Sequence, residues 1–134
     1  MKILRNIAGI LIGLIVGSVL NGQLISLNGS VVSLPEGINP QDMESLKAGM
    51  HLFSPTNYLV VFAAHALGTL SGALVAGLIA QSGKIIFCYL VGGVFLFAGI
   101  TMVVMLPTPI WFAAVDLLFA YIPMAWLAAK MAKK

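Results

Sequence analysis

The sequence predicts an all-α membrane protein. Its expected form is a bundle of four transmembrane helices, with a short amphipathic helix in the long outer loop between spans one and two. Three observations lead there. Of 134 residues, 60% are hydrophobic and only 8% charged, whereas a soluble domain carries roughly 25% charged residues. The mean hydropathy is +1.06, more apolar surface than a water-soluble chain of this length could hide. The apolar residues also fall into four runs of about 20 residues, the length that crosses a hydrocarbon core. The spans are expected at residues 7–27, 56–80, 85–106 and 109–129, and the amphipathic helix at 40–52, all in a single domain.

Charge sets the expected orientation. Lys2 and Arg5 precede the first span, Lys84 lies between the second and third, and Lys130, Lys133 and Lys134 close the chain. With four spans, all six fall on one side, which the positive-inside rule assigns to the cytoplasm. The opposite side holds Glu36, Asp42 and Glu44 against a lone Lys47. The reading is a multi-pass protein of the bacterial inner membrane with both termini cytoplasmic. Tyr58 and Trp111 then fall near the outer interface, and Tyr89 and Trp126 near the inner one, as an aromatic belt. The net charge of +3 is spread over ends and loops and predicts topology, not nucleic-acid binding. The start imitates a signal peptide, but its apolar run is too long and lacks a small-x-small cleavage site, so a retained first span is expected. The single cysteine, Cys88, excludes an intrachain disulfide and a cysteine-rich metal site.

Span one carries Gly9, Gly13 and Gly17, and Asn21 continues the stripe. A spacing of four keeps residues on one helix face. A face without side chains lets another backbone approach, which drives helix association in lipid. Span two answers with Ala64, Gly68, Gly72, Ala76 and Ala80, so the two helices are expected to pack stripe to stripe. In the loop, Asn39 is expected to cap a helix with Pro40 in its first turn. There Met43, Leu46, Met50 and Phe53 recur at helical spacing. That helix is either an interfacial anchor or a lid over a site, with Glu36, Asp42, Glu44 and His51 as its polar residues. Ser54-Pro55 and Thr108-Pro109 read as matching helix starts. Pro123 should kink or thin span four.

His65 and Asp116 are the strongly ionisable side chains within the spans. They lie 11 and 8 residues beyond the expected caps Ser54 and Thr108, roughly 16 Å and 12 Å deep at about 1.5 Å per residue. Asn21, Thr69 and Thr101 are expected nearby. An isolated charge at such depth is costly, so a facing His65–Asp116 pair is the economical solution. It serves either as a polar clasp fixing helix register or as an outward-facing pocket for a proton, an ion or a small polar ligand. A metal would need His51, Glu36 or Glu44 to join His65 and Asp116, and no HExxH spacing supports one. A Ser71–His65–Asp116 triad fails on spacing, because six residues put Ser71 on the opposite side of the helix. No cofactor is expected.

The pattern PEG, DMESLKAGMHLF, HALGTLSGALVA, TMVVMLPTP and LFAYIPMAWL resembles small four-span integral membrane proteins of bacteria, a group with no settled activity. The resemblance covers nearly the whole chain and implies architecture without mechanism. The chain lacks the paired cysteines of quinone-reducing disulfide enzymes, the early membrane glutamate of small multidrug exporters and the Asn-rich signature of fluoride channels. The expected function is therefore binding or transport through the His65/Asp116 pocket. The alternative is an accessory subunit whose small-residue faces bind a second copy or another membrane protein.

Overall fold

The computed structural model describes residues 1–133. Their regular structure is helical, with no strand among the described residues. Helix α1 spans Lys2–Ile25, the irregular turn α2 Leu27–Ser30, and α3 Met43–Gly49, followed by a 3-10 turn at Met50–Leu52. Then come α4 Pro55–Ile79, α5 Lys84–Met105, α6 Ile110–Phe119 and α7 Ile122–Lys133. Four helices are long and apolar enough to cross a membrane: α1, α4, α5 and the α6–α7 pair taken together.

Helix α4 is the central element. In its apolar stretch 39% of residues are buried, against 17% for α1. It packs on α1, α5 and α7. The α1 contact is antiparallel and built on glycine. A Cβ at Gly17 would lie 2.6 Å from the Gly68 carbonyl oxygen, and one at Gly72 would lie 2.6 Å from that of Gly13. Gly9 faces Ala76 and Ile79 one turn further on. Two backbones meet here with no side chain between them, and dispersion over the whole stripe holds them. Polar bonds fix the far end. Arg5 Nε donates to the Ile79 carbonyl at 2.7 Å, and the Gln81 N–H donates to Asn6 Oδ1 at 3.0 Å. This is why α1 starts at Lys2 and not near residue 7. Lysine and arginine favour helix, and here Arg5 satisfies a terminal carbonyl of α4.

At this basic end the core is made of small residues. Ala73 and Ala76 of α4, Cys88 and Val91 of α5, and Ala128 and Ala132 of α7 are buried together. The fourth long helix does not continue unbroken into that core. It is interrupted at Ala120–Tyr121, between α6 and α7. Pro123 is the cause, because it has no N–H for the Phe119 carbonyl and its ring crowds that carbonyl. Below the break, α7 packs closely on α4 and α5; above it, α6 approaches them only lightly. The divergence leaves room for a cavity at the loop end.

The loop end is fastened by Asn57. Its Oδ1 accepts from the Ser54 N–H at 2.9 Å while Ser54 Oγ accepts from the Asn57 N–H, a reciprocal cap at the start of α4. Its Nδ2 donates to Asn28 Oδ1 and to the Ser33 carbonyl, both at 3.0 Å. Both asparagines are buried. Asn57→Ala keeps the backbone bond to Ser54 Oγ but removes the acceptor of the Ser54 N–H and leaves Asn28 Oδ1 without its donor. The expected loss is about 2–4 kcal/mol of stability, read by denaturant titration in micelles; a loss under about 0.5 kcal/mol would show that these bonds carry no net stability.

Three local expectations need correction. Asp42 caps α3, through Glu44 N–H at 3.2 Å. Asn39 is instead spent in the preceding turn, where its Oδ1 accepts from the Gln41 N–H and its carbonyl from the Asp42 N–H. Thr108 is not the cap of α6; that position is Pro109, and the Thr108 hydroxyl turns back to the Leu106 carbonyl. Tyr58 is not part of an exposed belt. It is 4% exposed, donates to the Met50 carbonyl at 3.0 Å and packs on Phe53, Trp111 and Phe112.

Candidate functional site

The site lies where α4, α6 and the α6–α7 break meet. Helix α4 supplies His65, on the flank of the face that packs against α1. Helix α6 supplies Asp116, which is 1% exposed. The imidazole Nδ1 sits 2.8 Å from Asp116 Oδ1 and 3.0 Å from Oδ2, astride the carboxylate. Tyr121 completes the cluster by donating its hydroxyl to Asp116 Oδ2 at 3.2 Å. Its ring also stacks on the imidazole, with centroids 5.8 Å apart and planes at 29°. Gly99 of α5 makes this possible, because any Cβ there would collide with the phenol of Tyr121.

Sequence reasoning missed Tyr121. It follows Asp116 by five positions, about 140° around an ideal helix, so the two should face apart. The break ahead of Pro123 removes that constraint. The available signal was the conjunction of an acid within an apolar run, a nearby tyrosine and a proline two residues beyond it.

With the carboxylate ionised, Nδ1 carries its proton towards Asp116, which fixes the tautomer and orientation of the ring. Nε2 makes no hydrogen bond among the described residues. The side chain of His65 is 18% exposed, against 2% for Asp116. The imidazole is thus the accessible member and the carboxylate the buried one. When His65 is protonated and Asp116 ionised, the pair is neutral overall, which suits an apolar surrounding.

His65 and Asp116 lie in the wall of a cavity of about 120 Å³ under the loop. The rest of the wall is mainly apolar, with Ile25, Val61, Met102 and Phe112 from the helices. The loop contributes Pro40, Leu46, Met50 and Phe53. The polar loop residues expected to form a lid do not. Glu36, Asp42 and Glu44 surround a separate surface hollow, and His51 lines another beside Trp111. The reason is desolvation: the loop turns its apolar side to the cavity and leaves its charges in water.

Asn21 and Thr69 do not bond to the pair. They border a second cavity, of about 210 Å³, which shares His65. Thr101 is not in the site at all; it is exposed, and its hydroxyl bonds back to the Phe97 carbonyl at 2.9 Å. Ser71 donates to the Gly68 carbonyl, away from His65, so the triad does not form. No group of three or more His, Cys, Asp or Glu side chains that could hold a metal ion occurs among the described residues. His51 lines a hollow that contains neither His65 nor Asp116. Comparison with protein-family models, curated proteins and solved structures finds no match for this chain.

Proposed function

We propose that the chain is an inner-membrane protein whose four spans form a bundle with both termini in the cytoplasm, and whose α3 segment lies at the outer interface. Its function in this reading is to bind or transport a proton, an ion or a small polar ligand through an outward-facing pocket at His65 and Asp116. The observation that carries it is the seating of the imidazole astride a buried carboxylate, in the wall of a cavity beneath the outer loop. Ionisable groups at membrane depth are costly and are typical of proton relays and substrate paths.

The wall chemistry narrows the ligand. One polar end in a largely apolar cavity suits a small molecule with an apolar body and a cationic or hydrogen-bonding end better than a hydrated ion. A cationic end has its counter-charge in the Asp116 carboxylate, which lines the cavity beside His65.

The test is a thermal-shift screen of the purified protein against small lipophilic amines at two pH values, repeated on Asp116→Asn. Asparagine keeps one oxygen within reach of both the His65 and Tyr121 donors and exchanges the other, with the charge, for an NH2 group. Stabilisation by amines in the wild type, abolished in Asp116→Asn, supports the pocket. If no amine stabilises the wild type and the variant merely melts earlier, the pair is a structural clasp. The accessory-subunit alternative draws no support from the glycine stripes, which α1 and α4 use on each other. It would have to use the exposed branched face of α1, such as Ile3, Leu11, Ile15 and Val19.

A further inference from the structure

The second cavity contains groups that the pocket does not use. Asn21 Oδ1 and Thr69 Oγ1 are both buried and without any hydrogen-bond partner. Thr69 is 1% exposed. A helical threonine ordinarily bonds back to the carbonyl four residues earlier, and Thr69 does not. Asn21 lies over the neighbouring residue: a Cβ at Gly68 would stand 3.0 Å from the Cβ of Asn21. Asn21 and Thr69, from two helices, thus line one space of about 210 Å³ together with the polar side chains of His65 and Tyr121. The remaining wall, including Ile25, Phe95 and Met102, is apolar.

This space lies between α1 and α5, which touch far more lightly than α1 and α4. Its rim includes Ala98, which is exposed. Ala98 is seven residues below Met105, the loop-end terminus of α5, or about 10 Å along the axis. In a membrane-spanning chain, the reading on which this rests, an opening at that depth meets hydrocarbon and not water. Buried acceptors without donors are expensive beside lipid, and the space far exceeds the roughly 10–15 Å³ that one water needs.

We propose that the α1–α5 cleft is a second binding site, entered sideways from the bilayer, for a lipid-soluble molecule with an apolar chain and a hydroxyl at its end. The hydroxyl donates to Asn21 Oδ1 and accepts from the Thr69 hydroxyl, and can also accept from His65 when Nε2 is protonated. The chain lies along Phe95 and Met102 towards Ala98. His65 lines both cavities, together with Ile25, Gly99 and Met102.

The test uses the full-length protein in phospholipid nanodiscs and a long-chain alcohol with a photoreactive diazirine in its chain. Labelling is mapped by mass spectrometry and is expected at Phe95 and Ala98, which line the cleft and not the outer pocket. Hexadecanol should suppress it and hexadecane should not. Thr69→Val keeps the shape and removes an unpartnered hydroxyl. It should cut labelling by about tenfold, the effect of one good hydrogen bond, while raising the melting temperature of the ligand-free protein. A threonine kept for structure would give the opposite stability change. Equal suppression by hexadecane, which needs no variant to observe, overturns the proposal, as does undiminished labelling of Thr69→Val. Asp116→Asn separates the two sites, because it should abolish amine binding in the outer pocket and leave cleft labelling within about twofold, the effect of a change of a few tenths of a kcal/mol.

Discussion

Replacing Gly13 with leucine is expected to separate α1 from α4 and to be among the most damaging single changes in the chain. A Cβ at position 13 runs into the Gly72 carbonyl oxygen, and the nearest side chain, Ala76, stands only 3.1 Å away. The obstruction is backbone, so no rotamer change relieves it; the helices must move apart. Gly13→Ala should already cost about 1–3 kcal/mol, the range of overpacking in a close-fitting core. Gly13→Leu should cost more, because separation forfeits the Gly9 and Gly17 contacts together. Gly22 is the control on the same helix, where a Cβ would meet nothing within 4 Å. Gly22→Ala should be neutral, or stabilising by up to about 1 kcal/mol through helix propensity. An SDS titration read by pulse proteolysis would measure all three. Equal effects at positions 13 and 22 would mean that the stripe does not hold α1 in place.

The residues easiest to read from sequence are those governed by a simple period. Glycines every fourth residue on two helices specify a face whatever the neighbours do, and Gly9, Gly13 and Gly17 meet their counterparts on α4 at backbone distance. Apolar runs specify long helices just as directly, and the described residues contain four long enough to cross a membrane. His65 and Asp116 stand out because ionisable groups in such runs are rare, and counting depth from Ser54 and Thr108 brings them within a turn of each other. What cannot be read depends on a departure from regular geometry. Tyr121 reaches Asp116 only because the helix breaks ahead of Pro123. The Asn28–Asn57 bond joins residues 29 apart through an irregular turn. Thr101 fails for the opposite reason: its depth is right, but its helix face points outwards, and one helix's depth says nothing about rotation. The loop misleads because its acids are its most conspicuous residues, while burial selects Pro40, Leu46 and Met50.

Asp116→Leu is the second large expected effect, and its value lies in what can reverse it. Leucine matches the carboxylate roughly in size and removes two acceptor atoms. The Nδ1–H of His65 and the hydroxyl of Tyr121 then have no partner in a site where the acid itself is 1% exposed. Each orphaned donor costs about 1–3 kcal/mol, so the loss should be roughly 2–6 kcal/mol, with Asp116→Asn well below it. Adding His65→Leu and Tyr121→Phe to Asp116→Leu removes both stranded donors. A cluster exchanged whole for apolar residues of similar size is often neutral or stabilising, even though breaking it singly is severe. The triple variant should therefore recover most of the loss. Recovery would mean that folding does not need the cluster, so that its cost in the native chain is borne for another purpose, as a binding site requires. If the triple variant is less stable than Asp116→Leu alone, the three residues fix the register of α4, α6 and α7, and the pocket reading loses its main support. Denaturant titration of the wild type and the three variants decides between these outcomes without knowledge of the ligand. It reads the site's energetics directly, where the amine screen can only succeed with the right compound in hand.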